Sequence, residues 1–318
     1  MSKLGPGAGG APPQAQLAKI APIKQGYIAA LLAFVLWGAF PVYFHSLHSI
    51  TALQVIAHRI TWSLMFLLGW LSFRGELGKL RAALSQPGIV LRLALSAALI
   101  SLNWLIFVYG VTHEHVVEVS LGYFIGPLVN VMLGVAVLSE RLTPIQWISV
   151  GLATVGVGYL TYITGGLPWL ALAIAVSFSV YGFVRKVVKI DALPGLALET
   201  LLLTPLALGY LIWSEAKGVG AFGHVDALTT GMLIFSGPIT AITLYLFAYG
   251  TRRLNYSTVG VLQYIAPSLQ FASGLIVLHE PFDHARAVGF VVIWGALILY
   301  AGEGARLSRR QQARAVTA

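Results

Sequence analysis

Residues 120–141 read SLGYFIGPLVNVMLGVAVLSER, and residues 260–280 read GVLQYIAPSLQFASGLIVLHE. At a shift of 140 positions, Val119, Ile125, Pro127, Gly134, Val137, Leu138 and Glu140 meet Val259, Ile265, Pro267, Gly274, Val277, Leu278 and Glu280 without a gap. Upstream, Ser96, Phe107, Tyr109 and Gly110 meet Ser236, Phe247, Tyr249 and Gly250 at the same shift. A shift of 144 aligns Phe34 and Gly38 with Phe178 and Gly182. The chain therefore reads as two related halves. Each half holds five apolar runs. Five is odd, so the second half enters a membrane upside down relative to the first. Inverted repeats of this kind are a common construction of secondary transporters.

The apolar runs lie near residues 25–44, 52–73, 89–111, 116–138, 145–163, 167–184, 195–213, 228–249, 257–278 and 285–301. Nearly all approach or exceed the ~20 residues that a helix needs to cross lipid. They are too long, and do not alternate, as barrel strands would. Composition agrees, with 58% hydrophobic residues, 10% charged residues and a mean hydropathy of +0.82. A soluble domain carries about 25% charged residues, so a water-soluble globule and a nucleic-acid module are both excluded. The absence of Cys removes disulfides, thiolate metal sites and cysteine nucleophiles.

The net charge of +9 is distributed asymmetrically. With the N-terminus in the cytoplasm, the inner segments hold seventeen Lys and Arg, and the outer segments hold Lys217 and Arg286. Arg59 lies within a span. This split places both tails in the cytoplasm. The expected architecture is an all-α integral membrane protein of ten transmembrane helices in two inverted five-helix repeats. A flexible tail over 1–24 precedes repeats over 25–164 and 165–304, and a basic tail over 305–318 follows. The Gly/Pro/Ala-rich start does not read as a cleavable signal.

The runs LWGAFPVYF, HRITWS, NWLIFVYGV, SLGYFIGPLVNVMLGVAVLSERL and LQYIAPSLQF resemble the RarD group of the EamA family, within the drug/metabolite transporter superfamily. The resemblance covers residues 25–301. It implies an inner-membrane carrier of two EamA repeats with a central cavity, working by alternating access as an exporter of a small organic metabolite or drug. The expected partners are that small-molecule substrate and the lipid bilayer, with a proton or ion as the candidate coupling partner. No cofactor and no nucleic acid are expected.

Candidate pathway residues fall on helical stripes. Ser120, Tyr123, Pro127, Asn130 and Gly134 share one face, as do Gly260, Gln263, Pro267, Gln270 and Gly274, because steps of 3 and 4 return to the same side. The two prolines each remove a backbone donor and are expected to bend their helices. Asn103, Trp104, Trp37, Tyr181, Tyr245 and Tyr264 complete an aromatic cavity set with few polar groups; packing between helices competes with lining for all of them. Trp70, Trp147, Trp169 and Trp213 stand near span ends and suit an interfacial belt. His58, Arg59 and Glu199 are ionisable within spans, where charge is costly. They are assigned to gating, with His58–Arg59 toward the outside and Glu199 toward the inside, too different in depth for a direct Arg59–Glu199 pair. His113, Glu114, His115 and Glu118 form a titratable outer turn that reads as solvated. Glu140 and Glu280 are given a structural role, bonding neighbouring backbone or Arg141 and Arg286.

HEHVV at His113 and HEPFD at His279 lack the second His of a zinc protease. There is no phosphate-binding P-loop and no GxSxG elbow. An enzyme is not expected; a channel-like facilitator or a membrane scaffold is the competing reading.

Overall fold

The computed structural model describes residues 13–112, 116–163, 165, 169–277 and 284–316. Among them regular structure is entirely helical: α1 (Pro13–His45), α2 (Ala52–Phe73), α3 (Leu77–Leu84), α4 (Pro87–Thr112), α5 (Val116–Ala136), α6 (Pro144–Ile163), α7 (Trp169–Val187), α8 (Ala192–Ala216), α9 (Ala227–Thr251), α10 (Tyr256–Gln263), α11 (Ile265–Ile276) and α12 (His284–Val316). Seven helices, α1, α2, α4, α7, α8, α9 and α12, contain stretches long and apolar enough to cross a membrane. Residues Leu121–Ala136 of α5 form a shorter apolar helix.

Three expectations change. The flexible tail expected over 1–24 is helical from Pro13 onward, and α1 passes through Pro22. The basic tail expected over 305–318 continues α12 to Val316, because its Ala, Arg and Gln residues are good helix formers with no breaker among them. The ninth apolar run is two helices, α10 and α11, meeting at Tyr264. Pro267 has no N–H for the Gln263 carbonyl, so the ladder opens there. Helix α5 runs unbroken through Pro127.

The short helix α3 was not anticipated. Eight residues cannot span lipid, but Leu80 and Ala83 are buried while its start is ionic. Arg74 bonds Glu76 at 3.0 Å, and Lys79 reaches Glu76 at 3.4 Å and Asp191 at 3.3 Å. The Arg74 bond, with the help of Lys79, holds the Glu76 carboxyl below the usual range. This end of the bundle, which also bears Arg185, Lys186, Arg252 and Arg253, is its basic end. At the opposite end Asp226 caps α9, accepting from the Thr229 backbone N–H at 2.8 Å and hydroxyl at 2.7 Å.

Helix α6 packs on α12, α5 on α7 and α10, α2 on α8 and α9, α1 on α9 and α11, and α4 on α7. The largest buried cluster includes Phe34, Leu67, Leu93, Tyr181, Leu196, Phe247 and Tyr256; a second, around Phe124, Leu160 and Phe290, joins α5, α6 and α12. A side chain at Gly260 would begin 2.6 Å from the Pro127 carbonyl oxygen, so α5 and α10 meet backbone to backbone. Outward surfaces are apolar: Phe73 is 93% exposed, and Tyr162, Leu206 and Ile298 are largely bare. In water such patches would drive association; lipid accepts them. Trp147, Trp169 and Trp213 are exposed, as a belt requires.

Candidate functional site

His58 and Arg59 are neighbours on α2, about 100° apart around the helix, so they point in different directions. Arg59 donates from Nε to the Thr240 hydroxyl on α9 at 3.0 Å. Three rings cover its guanidinium: Trp104 at 4.8 Å, Phe44 at 4.9 Å and Phe40 at 5.8 Å from ring centre to Cζ. The phenols of Tyr43 and Tyr123 lie within reach of its charge. A guanidinium has five N–H donors. Arg59 uses only Nε among the described residues, and no carboxylate pairs with it there. Such contacts with aromatic faces stabilise a desolvated cation by ~2 kcal/mol but leave its donor edge unused.

Below the cage lies a cavity of about 20 Å³ whose wall includes Ser63 of α2, Trp104 of α4, Tyr181 of α7, Glu199 and Thr200 of α8 and Thr240 of α9. Trp104 and Thr240 thus belong to both cage and cavity. A volume of this size holds about one water molecule, so the helices are closed around it.

Glu199 is the ionic residue of the cavity wall. Its carboxylate lies 3.5 Å from Arg185 Nη1, and the two side chains are 3% and 1% exposed. Arg185 also donates to the Ala192 carbonyl oxygen at 2.9 Å. A Cβ at Gly195 would stand 2.5 Å from Arg185 Nη1; glycine there leaves the guanidinium its path along α8. Arg59 is not Glu199's partner, as the difference in depth implies.

The remaining candidates divide. Asn130 on α5 donates to Gln263 Oε1 on α10 at 2.7 Å, and both are buried. Asn103 donates to the Ile174 carbonyl oxygen and the Ser177 hydroxyl on α7 at 3.0 and 3.1 Å. Gln270 donates to the Trp37 carbonyl oxygen at 3.1 Å. These amides join helices. Trp37 and Tyr181 enter one aromatic cluster with Phe34, Phe178 and Phe247. Tyr123 stands beside Phe107 and near Arg59. Tyr245 lies toward the basic end against Trp70. Tyr264 is buried in the cluster of α5, α6 and α12, away from Arg59's cage.

His58 stacks on Phe222 at 5.3 Å, and Trp62 lies 5.7 Å from the same ring. Phe222 belongs to the loop between α8 and α9. Gln54 holds that loop with two bonds, donating to the Val219 carbonyl oxygen at 2.6 Å and accepting from Ala221 N–H at 2.9 Å. The loop thus covers the bundle end nearest Arg59. Beyond α5, Ser139 adopts φ 56°. Glu140, next in the chain, accepts from Tyr256 N–H at 2.5 Å, Ser257 N–H at 2.9 Å and the Ser257 hydroxyl at 2.8 Å. It caps α10, a backbone bond as expected but to a distant helix. His113, Glu114, His115 and Glu280 lie outside the described residues, as does the side chain of Glu118.

Residues 24–162 match the family model described as the EamA-like transporter family. The chain is 39% identical over 288 residues to an uncharacterized transporter of Pseudomonas aeruginosa, covering 91% of this chain and 97% of that one. The chain belongs to the EamA transporter family. Relatives named RarD are 39% identical in Streptomyces exfoliatus, over 92% of each chain, and 36% identical in Escherichia coli, over 90% of this chain and 97% of that one. A solved crystal structure matches with a TM-score of 0.69 at 19% identity, covering 88% of this chain and 97% of that one, which shows a shared fold. This EamA protein is therefore a multi-pass membrane transporter of the drug/metabolite superfamily.

Two functional candidates in this transporter were missed from sequence. Arg185 counts there as one more loop charge, although it sits inside the last turn of α7, and only its contact with Glu199 reveals it. Gln54 carries no pattern of its own; its role depends on a loop 165 residues away.

Proposed function

We propose that this transporter carries a small organic metabolite or drug across the inner membrane by alternating access, as an exporter. The observation that carries the reading is the position of its two intramembrane charge centres. Arg59 is the eighth residue of α2 and Glu199 the eighth of α8, 140 positions apart; Glu199 lines the closed cavity, and Arg59 touches two of its wall residues, Trp104 and Thr240. They are thus twins under the repeat. Glu199 has Arg185 of α7 as its partner, whereas the α1 segment beside Arg59 supplies the rings of Phe40 and Phe44.

The helix contacts support two inverted halves, 25–164 and 165–304, making ten spans with α10 and α11 as one. Exchange α1 with α7, α2 with α8, α4 with α9, α5 with α10–α11, and α6 with α12. The principal contacts then map onto themselves: α5–α7 becomes α11–α1, α1–α9 becomes α7–α4, and α6–α12 is unchanged. Such symmetry suits a device whose halves trade conformations. The Lys and Arg split supports a cytoplasmic basic end, with both tails inside. In this arrangement the Glu199–Arg185 pair closes the inner half. His58, against Phe222, closes the outer half, with Arg59 beneath it. The export direction follows the resemblance to the superfamily.

The test is counterflow in proteoliposomes of the full chain, with amino acids, nucleobases, amphenicols and organic ions as labelled solutes. Saturable uptake driven by unlabelled solute on the far side is the expected result. Flux without counterflow would make the protein a channel, and no solute-dependent flux would leave a scaffold.

A further inference from the structure

We infer that Arg59 is the receptor for an anionic group on the transported solute, and that the site takes a small organic carboxylate with an apolar body. The inference rests on the transporter reading and names its substrate class. Arg59 lies eight residues into α2, ~12 Å along the helix axis, under the loop that carries Phe222. A cation at such depth needs a counter-charge or a reason to lack one. Its repeat twin Glu199 has a guanidinium at 3.5 Å. Arg59 has Thr240 and three rings, and no acid among the described residues.

The geometry selects the ligand. Phe40, Phe44 and Trp104 provide apolar contact with the guanidinium, while its two terminal amino groups make no hydrogen bond among the described residues. A planar guanidinium edge matches the two oxygens of a carboxylate, each accepting one N–H. The same rings, with Tyr123, offer an apolar wall to the rest of the solute. Thr240 fixes Nε and so orients the fork. Outward movement of an anion also runs with an inside-negative membrane potential, in keeping with export.

The experiment uses the purified full chain in dodecyl maltoside, which contains no phosphate that could imitate a lipid headgroup. The probes are 3-phenylpropanoate, its primary amide and 3-phenylpropylamine, with Kd read from tryptophan fluorescence. The carboxylate should bind at least tenfold tighter than either analogue. Arg59→Gln should erase that preference. Arg59→Lys keeps the charge but loses the fork, and should weaken carboxylate binding severalfold; size-exclusion and melting profiles verify that each variant is folded. Equal binding of acid and amide, or unchanged carboxylate binding by folded Arg59→Gln, would overturn the inference. Counterflow separates the two claims. Carboxylate binding that needs Arg59, without counterflow of any solute, would sink the transporter reading and leave the anion site. Counterflow of neutral solutes that carboxylates neither join nor inhibit would sink the anion site and leave the transporter.

Discussion

Consider removing one half of the Arg185–Glu199 pair. The groups are 3.5 Å apart and almost wholly buried. Arg185 has one further bond, to the Ala192 carbonyl oxygen. Glu199→Gln would leave a guanidinium without a counter-charge, and Arg185→Met would leave a carboxylate in the same position. Breaking a buried pair from one side costs about 3–5 kcal/mol, whereas replacing both charges with groups of similar volume is often close to neutral. Each single variant should therefore lose ~3–5 kcal/mol of stability, and the double variant less than either. The resulting coupling energy should exceed ~3 kcal/mol, at or beyond the top of the range for residues in contact. Gly195→Ala gives an independent perturbation. Its new methyl group would stand 2.5 Å from Nη1 and push the flexible end of Arg185 off the carboxylate, so it should reproduce part of the Arg185→Met loss. Unfolding by SDS in mixed micelles, followed by tryptophan fluorescence, measures the four variants against the parent protein. If the double variant loses the sum of the single losses, the two charges are not coupled and the reasoning fails.

Three further outcomes are expected. Because the chain has no Cys, Lys217→Cys should react with an impermeant maleimide on intact cells, and Lys189→Cys only after permeabilisation; the opposite pattern would reverse the orientation. Glu140→Ala removes the acceptor for three donors at the start of α10 and should cost ~1–3 kcal/mol in the same unfolding assay, with Glu140→Gln losing less; an unchanged midpoint would deny the cap. The hydroxyl and backbone N–H of Thr229 hold the Asp226 carboxyl below its ordinary 3.8. Its contribution is therefore complete above that value and is lost as pH falls through the lower folded one. Melting profiles should show an acid-side decline below about pH 4 that Asp226→Asn flattens, and an identical decline in the variant would remove Asp226 as its source.

What was legible in the sequence was local or repeated. Apolar runs such as 52–73 became α2 with the same bounds because a membrane helix satisfies its backbone within itself. Pro127 and Pro267 stood out as one motif written twice, 140 positions apart. Its effect differed between copies: α5 continues, whereas α10 and α11 separate at Tyr264, since a lost bond is tolerated or not according to the neighbours. The stripes of Asn130 and Gln263 were visible as polar faces, but one sequence cannot say whether two amides face a cavity or each other. Arg59 and Glu199 stood out because ions are rare in spans. Their surroundings did not, because Arg185, the rings of Phe40 and Phe44, and the Phe222 loop come from separate helices and connections.

The cap on α10 has a consequence for how the protein is made. Glu140 leaves the ribosome 116 residues before Tyr256, a delay of roughly 6–23 s at ~5–20 residues per second. Through that interval the Glu140 carboxylate has yet to meet the α10 groups that it caps. The first half cannot complete its fold before the second arrives. Co-expressed as two separate polypeptides cut in the 163–169 connection, the halves should depend on each other for survival, and the orphaned first half should be the preferred prey of membrane proteases.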